Sequence, residues 1–347
     1  MKTVNVIGID LAKTIFHVHA VDGNGVEIYR KKLSRKKLIE LINNTPPCIV
    51  AMEACGTAHH WGRTFASMGH DVKLIAPQHV KPFVRGEKND WNDAKAIAQC
   101  ANISDMRFVA VKSVAQQEIQ SLHRVRERYV GNRTALGNEM RGILAEYGYV
   151  IVTGYTKLKA RVLEIIQSED CKLSAELKRV LRDLREELIE LDEKIFNIEK
   201  IFMGLCKDVD VCKRLIKIPG VGVITATAIW SHIGDAQVFK NGRAFAAYLG
   251  LVPRQNSSGG KAKLGRITKR GDKYIRRLLI HGARAVVRFC ESKEDKRSLW
   301  IKRIDHERGR NKACVALANK NARIIWAMVA HGTEYQINFK RTLEQAA

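Results

Sequence analysis

Proline is scarce in this 347-residue sequence, with residues at 46, 47, 77, 82, 219 and 253 and none between Pro82 and Pro219. Proline breaks helix interiors, so nothing in the middle of the chain interrupts long helices. Acids are also few, 36 Asp and Glu against 60 Lys and Arg, which leaves a formal net charge of +24 and a pI near 9.8. Such an imbalance points to a polyanionic partner. Nucleic acid ranks above a membrane surface, because the charge is spread along the chain instead of sitting on one amphipathic helix or tail. No apolar run reaches the length of a bilayer span, and the opening MKTVNVIGID lacks the layout of a signal peptide, so a soluble cytoplasmic protein is expected. The eight cysteines form no CxxC pair, which argues against a zinc ribbon or a disulfide framework and for reduced, mostly buried thiols. His17, His19, His59 and His60 complete no zinc spacing with them and read as ordinary strand or helix-surface residues. The five tryptophans are dispersed, which suits core anchors better than a base-stacking platform.

What is present suggests two or three domains. In the first third, VNVIGID, IFHVHAVD and VEIYRKKL read as a strand meander, followed by a basic helix, a buried strand CIVAME, a second helix and a strand HDVKLIA. Alternating strands and helices imply a mostly buried mixed sheet. From Leu177 to Phe202, apolar residues recur at spacings of four and three among charged ones, which predicts a long helix with an apolar seam. Its partner is either the helix expected over about 114–147 or a second protomer. Beyond Cys206, glycine-broken helical segments dense in Lys and Arg suggest a mainly helical domain. The expected boundaries are 1–112, 113–205 and 206–347.

The acids fall at structural ends. Asp10 closes one buried strand, Glu53 another, and Asp90 and Asp93 stand three residues apart at the start of the helix DWNDAKAIAQC, so they share a helix face. Four carboxylates in one place repel unless cations lie between them, and hard divalent ions prefer oxygen ligands. A two-metal site can clamp both oxygens of a phosphodiester exchange. Taken singly, each acid also has an ordinary explanation: Asp90 or Asp93 as an N-cap, Asp10 as a turn residue, Glu53 as a solvated side chain. Acids terminating buried strands on this β-β-β-α-β frame recur where RNase H-like folds place metal.

Two C-terminal stretches carry nucleic-acid signals. LIKIPGVGVITATAI has the pattern of a helix-hairpin-helix, in which Gly220 and Gly222 permit a tight turn close to a phosphate; a plain packed helix-helix turn is the equal alternative. In NSSGGKAKLGRITKRGDKYIRR, the cations Lys261, Lys263, Arg266, Lys269, Arg270, Lys273, Arg276 and Arg277 face one acid, Asp272. That run suits a phosphate backbone, with a solvated charged loop as the alternative. Ser257 and Ser258 precede paired glycines on an accessible turn among these cations.

The ordered blocks GIDLAK, AMEACGT, DWNDAKAIA, IPGVGVITATAI and YLGLVPRQNSSGGKAKLGRITKRGDKYIRRLL resemble the DEDD-type transposases of the bridge-RNA-guided insertion-sequence family, relatives of Piv-type DNA invertases. The segment NDWNDA lacks the Arg or Lys expected between its acids, but both acids are retained. The resemblance implies a RuvC-like (RNase H fold) N-terminal domain, a helical coiled-coil region and a C-terminal transposase domain. It further implies Mg²⁺, as two ions, on Asp10, Glu53, Asp90 and Asp93, and it lifts Ser258 to the nucleophile's place with Ser257 as the alternative. Donor and target DNA, a structured guide RNA and a homo-oligomer, dimer or tetramer, with the active site assembled between protomers and association with the nucleoid, complete the expectation. Two rival classes remain: a RuvC-like nuclease or junction resolvase using water, and a non-catalytic nucleic-acid scaffold.

Overall fold

The computed structural model of the protein describes residues 3–84, 89–233, 236–258 and 261–336. The chain divides into two compact units, Met1–Gln117 with His232–Lys240 and Glu118–Ser231 with Asn241–Ala347.

In the first unit, β1 (Val6–Asp10), β2 (Ile15–Val21) and β3 (Glu27–Ser34) form the expected antiparallel meander. Helix α1 (Arg35–Asn43) leads to β4 (Ile49–Glu53), which runs parallel to β1; α2 (Ala58–Ser67) leads to β5 (Asp71–Ile75), parallel to β4. The short helix α3 (Pro77–Val80), then α4 (Asp90–Ala101) and β6 (Phe108–Val109) complete a six-stranded sheet in the order β3-β2-β1-β4-β5-β6. Neither α3 nor β6 is long enough to show a period in sequence.

Strand alternation sorts the side chains onto two faces. Ile7, Ile9, Phe16, Val18, Val50 and Met52 pack with Leu38 and Ile42 of α1 and Trp61 and Phe65 of α2. Val6, Val21, Ala51 and Ile75 take the opposite face, against Ala96, Ile97, Ala98 and Cys100 of α4. By parity, Gly8, Asp10, His17 and Glu53 belong to the α4 face. Covering both faces with helices makes the sheet a buried layer, as expected for a mixed α/β unit.

The second unit begins in α5 (Val114–Glu146), continues through α6 (Tyr155–Gln167) and returns along α7 (Ala175–Asp208). Arg126 of α5 pairs with Glu199 at 2.6 Å and Arg133 with Asp192 at 2.8 Å, so α5 and α7 run antiparallel. The open question of the seam's partner is thereby answered. Leu181, Leu188 and Leu191 join Leu136, Met140 and Leu144 of α5 and Leu158, Val162 and Ile165 of α6 in one apolar cluster. Farther along, Ile198 and Phe202 pack with Ile119 of α5. The stripe is covered by its own chain.

The unit continues with α8 (Asp210–Leu215), α9 (Val223–His232) and α10 (Gly242–Tyr248), then the hairpin β7 (Pro253–Ser258) and β8 (Lys261–Ile267). Helices α11 (Lys273–Arg288), α12 (Lys296–Arg308) and α13 (Arg310–His331) close it. All eight cysteines are free, five of them buried, and among the described residues no helix is long and apolar enough to cross a membrane.

Candidate active site and nucleic-acid interface

Two of the predicted acids, Asp10 and Glu53, end the adjacent parallel strands β1 and β4. Ile9 pairs with Met52 in the parallel register, so the next residues, Asp10 and Glu53, close neighbouring strands, Asp10 still paired with His17 of β2 and Glu53 with Ile75 of β5. This is the carboxyl edge of the strands, where open α/β sheets bind ligands. Across the antiparallel register Asp10 faces His17. Helix α4 brings its first turn to the same edge, with His17 Nδ1 at 3.4 Å from Asp90 Oδ2. Ligand atoms of Asp10, His17 and Asp90 all lie within 4.8 Å of one another. Glu53 and Asp93 are not part of that trio, although Asp93 lies one helical turn beyond Asp90. Two carboxylates and an imidazole at this spacing fit one divalent cation.

Two local features hold α4 there. Its N-cap is Asn89, whose side chain accepts the Asn92 amide at 2.8 Å, so neither Asp90 nor Asp93 serves as the cap and both carboxylates remain in the first turn. Beneath the helix lies Gly8. A Cβ there would sit 2.4 Å from the Ala94 carbonyl oxygen and 2.6 Å from the Ala98 nitrogen, so only glycine lets α4 lie directly on β1.

The second unit carries the basic signature. The hairpin β7–β8 ends with Ser258 paired to Lys261 across the ladder, flanking Gly259 and Gly260, which lie outside the described residues, as do the side chains of Ser258 and Lys261. Ser257 is exposed and accepts a hydrogen bond from the Gln255 amide at 2.9 Å. Lys263, Arg266, Lys269, Arg270 and Lys273 are exposed. Asp272, the one acid among them, caps α11 by accepting the Ile275 amide at 2.7 Å. Arg276 departs from the expected phosphate role. It is buried and donates to the Leu249 and Arg270 carbonyls at 3.1 and 2.8 Å, bracing the loop from inside. Arg277 is exposed, but its guanidinium lies 5.3 Å from the Tyr274 ring centre and pairs with Glu127. The glycines of the PGVG turn differ from each other. Gly220, at φ +88°, packs against α11, where a Cβ on Gly282 would come within 1.8 Å of the Gly220 oxygen. Gly222 is exposed with open space around it, just before α9.

Comparison with known proteins follows the same division. A DEDD transposase model of the IS110 type matches residues 7–149, and the model described as "Transposase IS116/IS110/IS902 family" matches residues 212–298. The chain is 47% identical to a "Probable family 20 transposase" of Pseudomonas aeruginosa over 95% of its own length and 98% of the relative's. It is 45% identical to the transposase for insertion sequence element IS1111A of Coxiella burnetii, over 97% of this chain and 92% of that one. With the transposase for IS1328 of Yersinia enterocolitica it shares 39% over 96% and 99%. The chain belongs to the IS116/IS110/IS902 family of transposases. This transposase is therefore an enzyme of DNA transposition.

The transposase's sheet edge includes residues that sequence reasoning passed over. His17 and His19 are not surface histidines: they are 7% and 5% exposed. The signal for His17 was its even spacing from Val21 on the face of β2 opposite Phe16 and Val18, the face that α4 covers. Trp91, half-buried, meets His17 edge-on at 4.7 Å and stacks under Arg30 at 5.7 Å, so it belongs to the site. Of the five tryptophans, Trp61 alone is a fully buried anchor. His59 lies in α2, where its Nδ1 accepts the Lys112 amide at 3.2 Å. Burial, then the Lys112 and Arg63 cations, lower its pKa to about 4.

Proposed function

We propose that this transposase cuts and rejoins DNA with two sets of its own residues, carboxylates that hold Mg²⁺ on an RNase H-like sheet and a serine nucleophile on the basic hairpin. The observation that carries the first is the convergence of Asp10, His17 and Asp90, with Glu53 ending the neighbouring strand and Asp93 in the same helix turn. Asp10, Glu53, Asp90 and Asp93 are the metal-holding set, and His17 Nδ1 orients the Asp90 carboxylate. Bound there, Mg²⁺ supplies Lewis-acid stabilisation of charge on phosphate oxygens.

The nucleophile is Ser258. Its Oγ forms a bond to phosphorus while the bond from phosphorus to the leaving strand's oxygen breaks; the serine proton passes to solvent and the departing oxygen takes one up. Attack by the hydroxyl of an incoming strand reverses the exchange and frees the serine. Lys263, Arg266, Lys269, Arg270 and Lys273, exposed along the same segment, neutralise the backbone that is held there. The reading extends to a structured guide RNA and to a homo-oligomer. The net charge of +24 supports the RNA, and RNA co-purifying with the full chain tests it.

Strand cleavage of a duplex carrying the insertion-sequence end tests the acid site. Asp10→Asn and Asp93→Ala should each abolish Mg²⁺-dependent cleavage, and chelation should do the same to the unaltered protein. Duplex binding should persist or tighten slightly, because a negative charge is removed from a basic protein. Full cleavage by either variant sinks the assignment, and cleavage that never yields a protein-linked product would favour a water-using nuclease.

A further inference from the structure

A groove in the second unit, away from the hairpin tip, shares Arg266 and Lys269 with the basic segment above and adds cations that the reaction above does not use. It has a volume of about 1920 Å³ and lies between the stem of the β7–β8 hairpin and helices α11, α12 and α13. That is beyond the roughly 300–1,000 Å³ of small-molecule pockets. Every charged residue lining it except Glu307 is basic. Helices α11 to α13 contribute Arg284, Arg303, Arg308, Lys312, Lys320 and Arg323. Trp300 is half-buried in its wall, with Lys320 Nζ 4.5 Å from the ring centre. Partial burial, then the neighbouring Arg297 and Arg323 cations, hold the Lys320 ammonium below its ordinary range.

Cations gathered in a concavity with a single acid repel one another, and such an arrangement stabilises a fold only when a polyanion fills it. The shape selects the polyanion. A basic groove with an aromatic side chain in its wall is the arrangement that takes a single nucleic-acid strand, phosphates along the cations and a base against the ring. We infer that this groove binds one unpaired strand of nucleic acid. The wall shared with the hairpin, Pro253 and Leu264 to Ile267, leads the strand along the stem toward the tip where Ser258 stands. That last step rests on the proposed nucleophile, whereas strand binding does not.

The test uses the full chain and fluorescently labelled 20-nucleotide single-stranded DNA, single-stranded RNA and duplex DNA, titrated across salt concentrations. The variant Arg303→Ala/Lys312→Ala/Arg323→Ala removes three exposed groove cations. The control Lys157→Ala/Arg179→Ala/Arg182→Ala removes three exposed cations from α6 and α7. Circular dichroism and melting establish that both are folded. The groove variant should lower the slope of log affinity against log salt by about 2 for a single strand, at roughly 0.7 per phosphate contact. Binding is read without cleavage, so a failed nucleophile assignment leaves this result readable. A loss confined to RNA, or to single-stranded DNA, identifies which strand the groove takes, and both support the inference. An unchanged slope, an equal loss in the control, or a loss confined to duplex would overturn it.

Discussion

Replacing Gly8 by alanine perturbs the proposed metal site without altering any of its proposed ligands. The added Cβ would meet the Ala94 oxygen at 2.4 Å, the Ala98 nitrogen at 2.6 Å and the Ala98 Cβ at 2.8 Å, where ordinary contact begins near 3.4 Å. Two of the three are helix backbone, so α4 has to move as a body, by about 1 Å. Overpacking of this kind typically costs about 1–3 kcal/mol, which leaves a domain folded if its stability is ordinary. The effect on chemistry should be larger. A shift of about 1 Å carries Asp90 and Asp93 away from Asp10, and misplacement on that scale can slow a reaction about 10²-fold. Gly8→Ala should therefore melt a few degrees lower yet lose about two orders of magnitude in Mg²⁺-dependent cleavage. Adding Ala98→Gly removes one of the three clashes and should restore only part of the rate. Cleavage at the unaltered rate in Gly8→Ala would refute the placement of α4 on β1 as the device that assembles the acids.

Other substitutions test the second unit and the pH response. Gly282→Ala should destabilise by about 2–5 kcal/mol in a urea melt, because its Cβ meets the Gly220 oxygen at 1.8 Å, whereas Gly222→Ala meets nothing and should stay within about 1 kcal/mol. Loss of DNA affinity in Gly222→Ala would then report a phosphate contact at the start of α9. Leu188→Lys, at a fully buried position, should cost about 3 kcal/mol or more while leaving the mass of the folded protein in light scattering unchanged; a normal melt with a smaller mass would return the seam to a protomer interface. His59 has a folded pKa of about 4 against 6.5 in the unfolded chain, so the unfolded state takes the proton first. Its contribution is complete above pH 6.5 and is lost as pH falls toward 4, with a ceiling of about 3 kcal/mol that partial exposure reduces. His59→Gln should flatten that part of the melting-temperature profile, and an unaltered profile would refute the assignment.

Strands β1 and β4 were legible because a buried strand writes a simple pattern, an apolar run closed by a turn residue, and Asp10 and Glu53 stood at the ends of those runs; the two-residue β6 wrote none. Asp90 and Asp93 were legible as a pair on one helix face. Their neighbour His17 was not, because its partner Asp10 is fixed by strand register and Asp90 by the seating of α4, neither of which a local pattern records. Gly8 was hidden for the same reason: its role is to be absent beneath another helix. The stripe on α7 announced that it needed a partner but not whose, since an apolar seam is satisfied equally by the helix expected over about 114–147 or by a second protomer. Arg276 looked like its basic neighbours in a run of charge. Only the fold shows that it points inward to two carbonyls while Lys269 and Arg270 point out.

The most direct test of the serine chemistry is to trap the reaction on a duplex carrying the insertion-sequence end, digest the protein and identify by mass spectrometry the peptide that carries DNA. The account predicts a Mg²⁺-dependent adduct on the peptide Gln255–Lys261 at Ser258, absent from Ser258→Ala and from Asp10→Asn. Cleavage without any adduct, or an adduct that persists in Ser258→Ala, would contradict it.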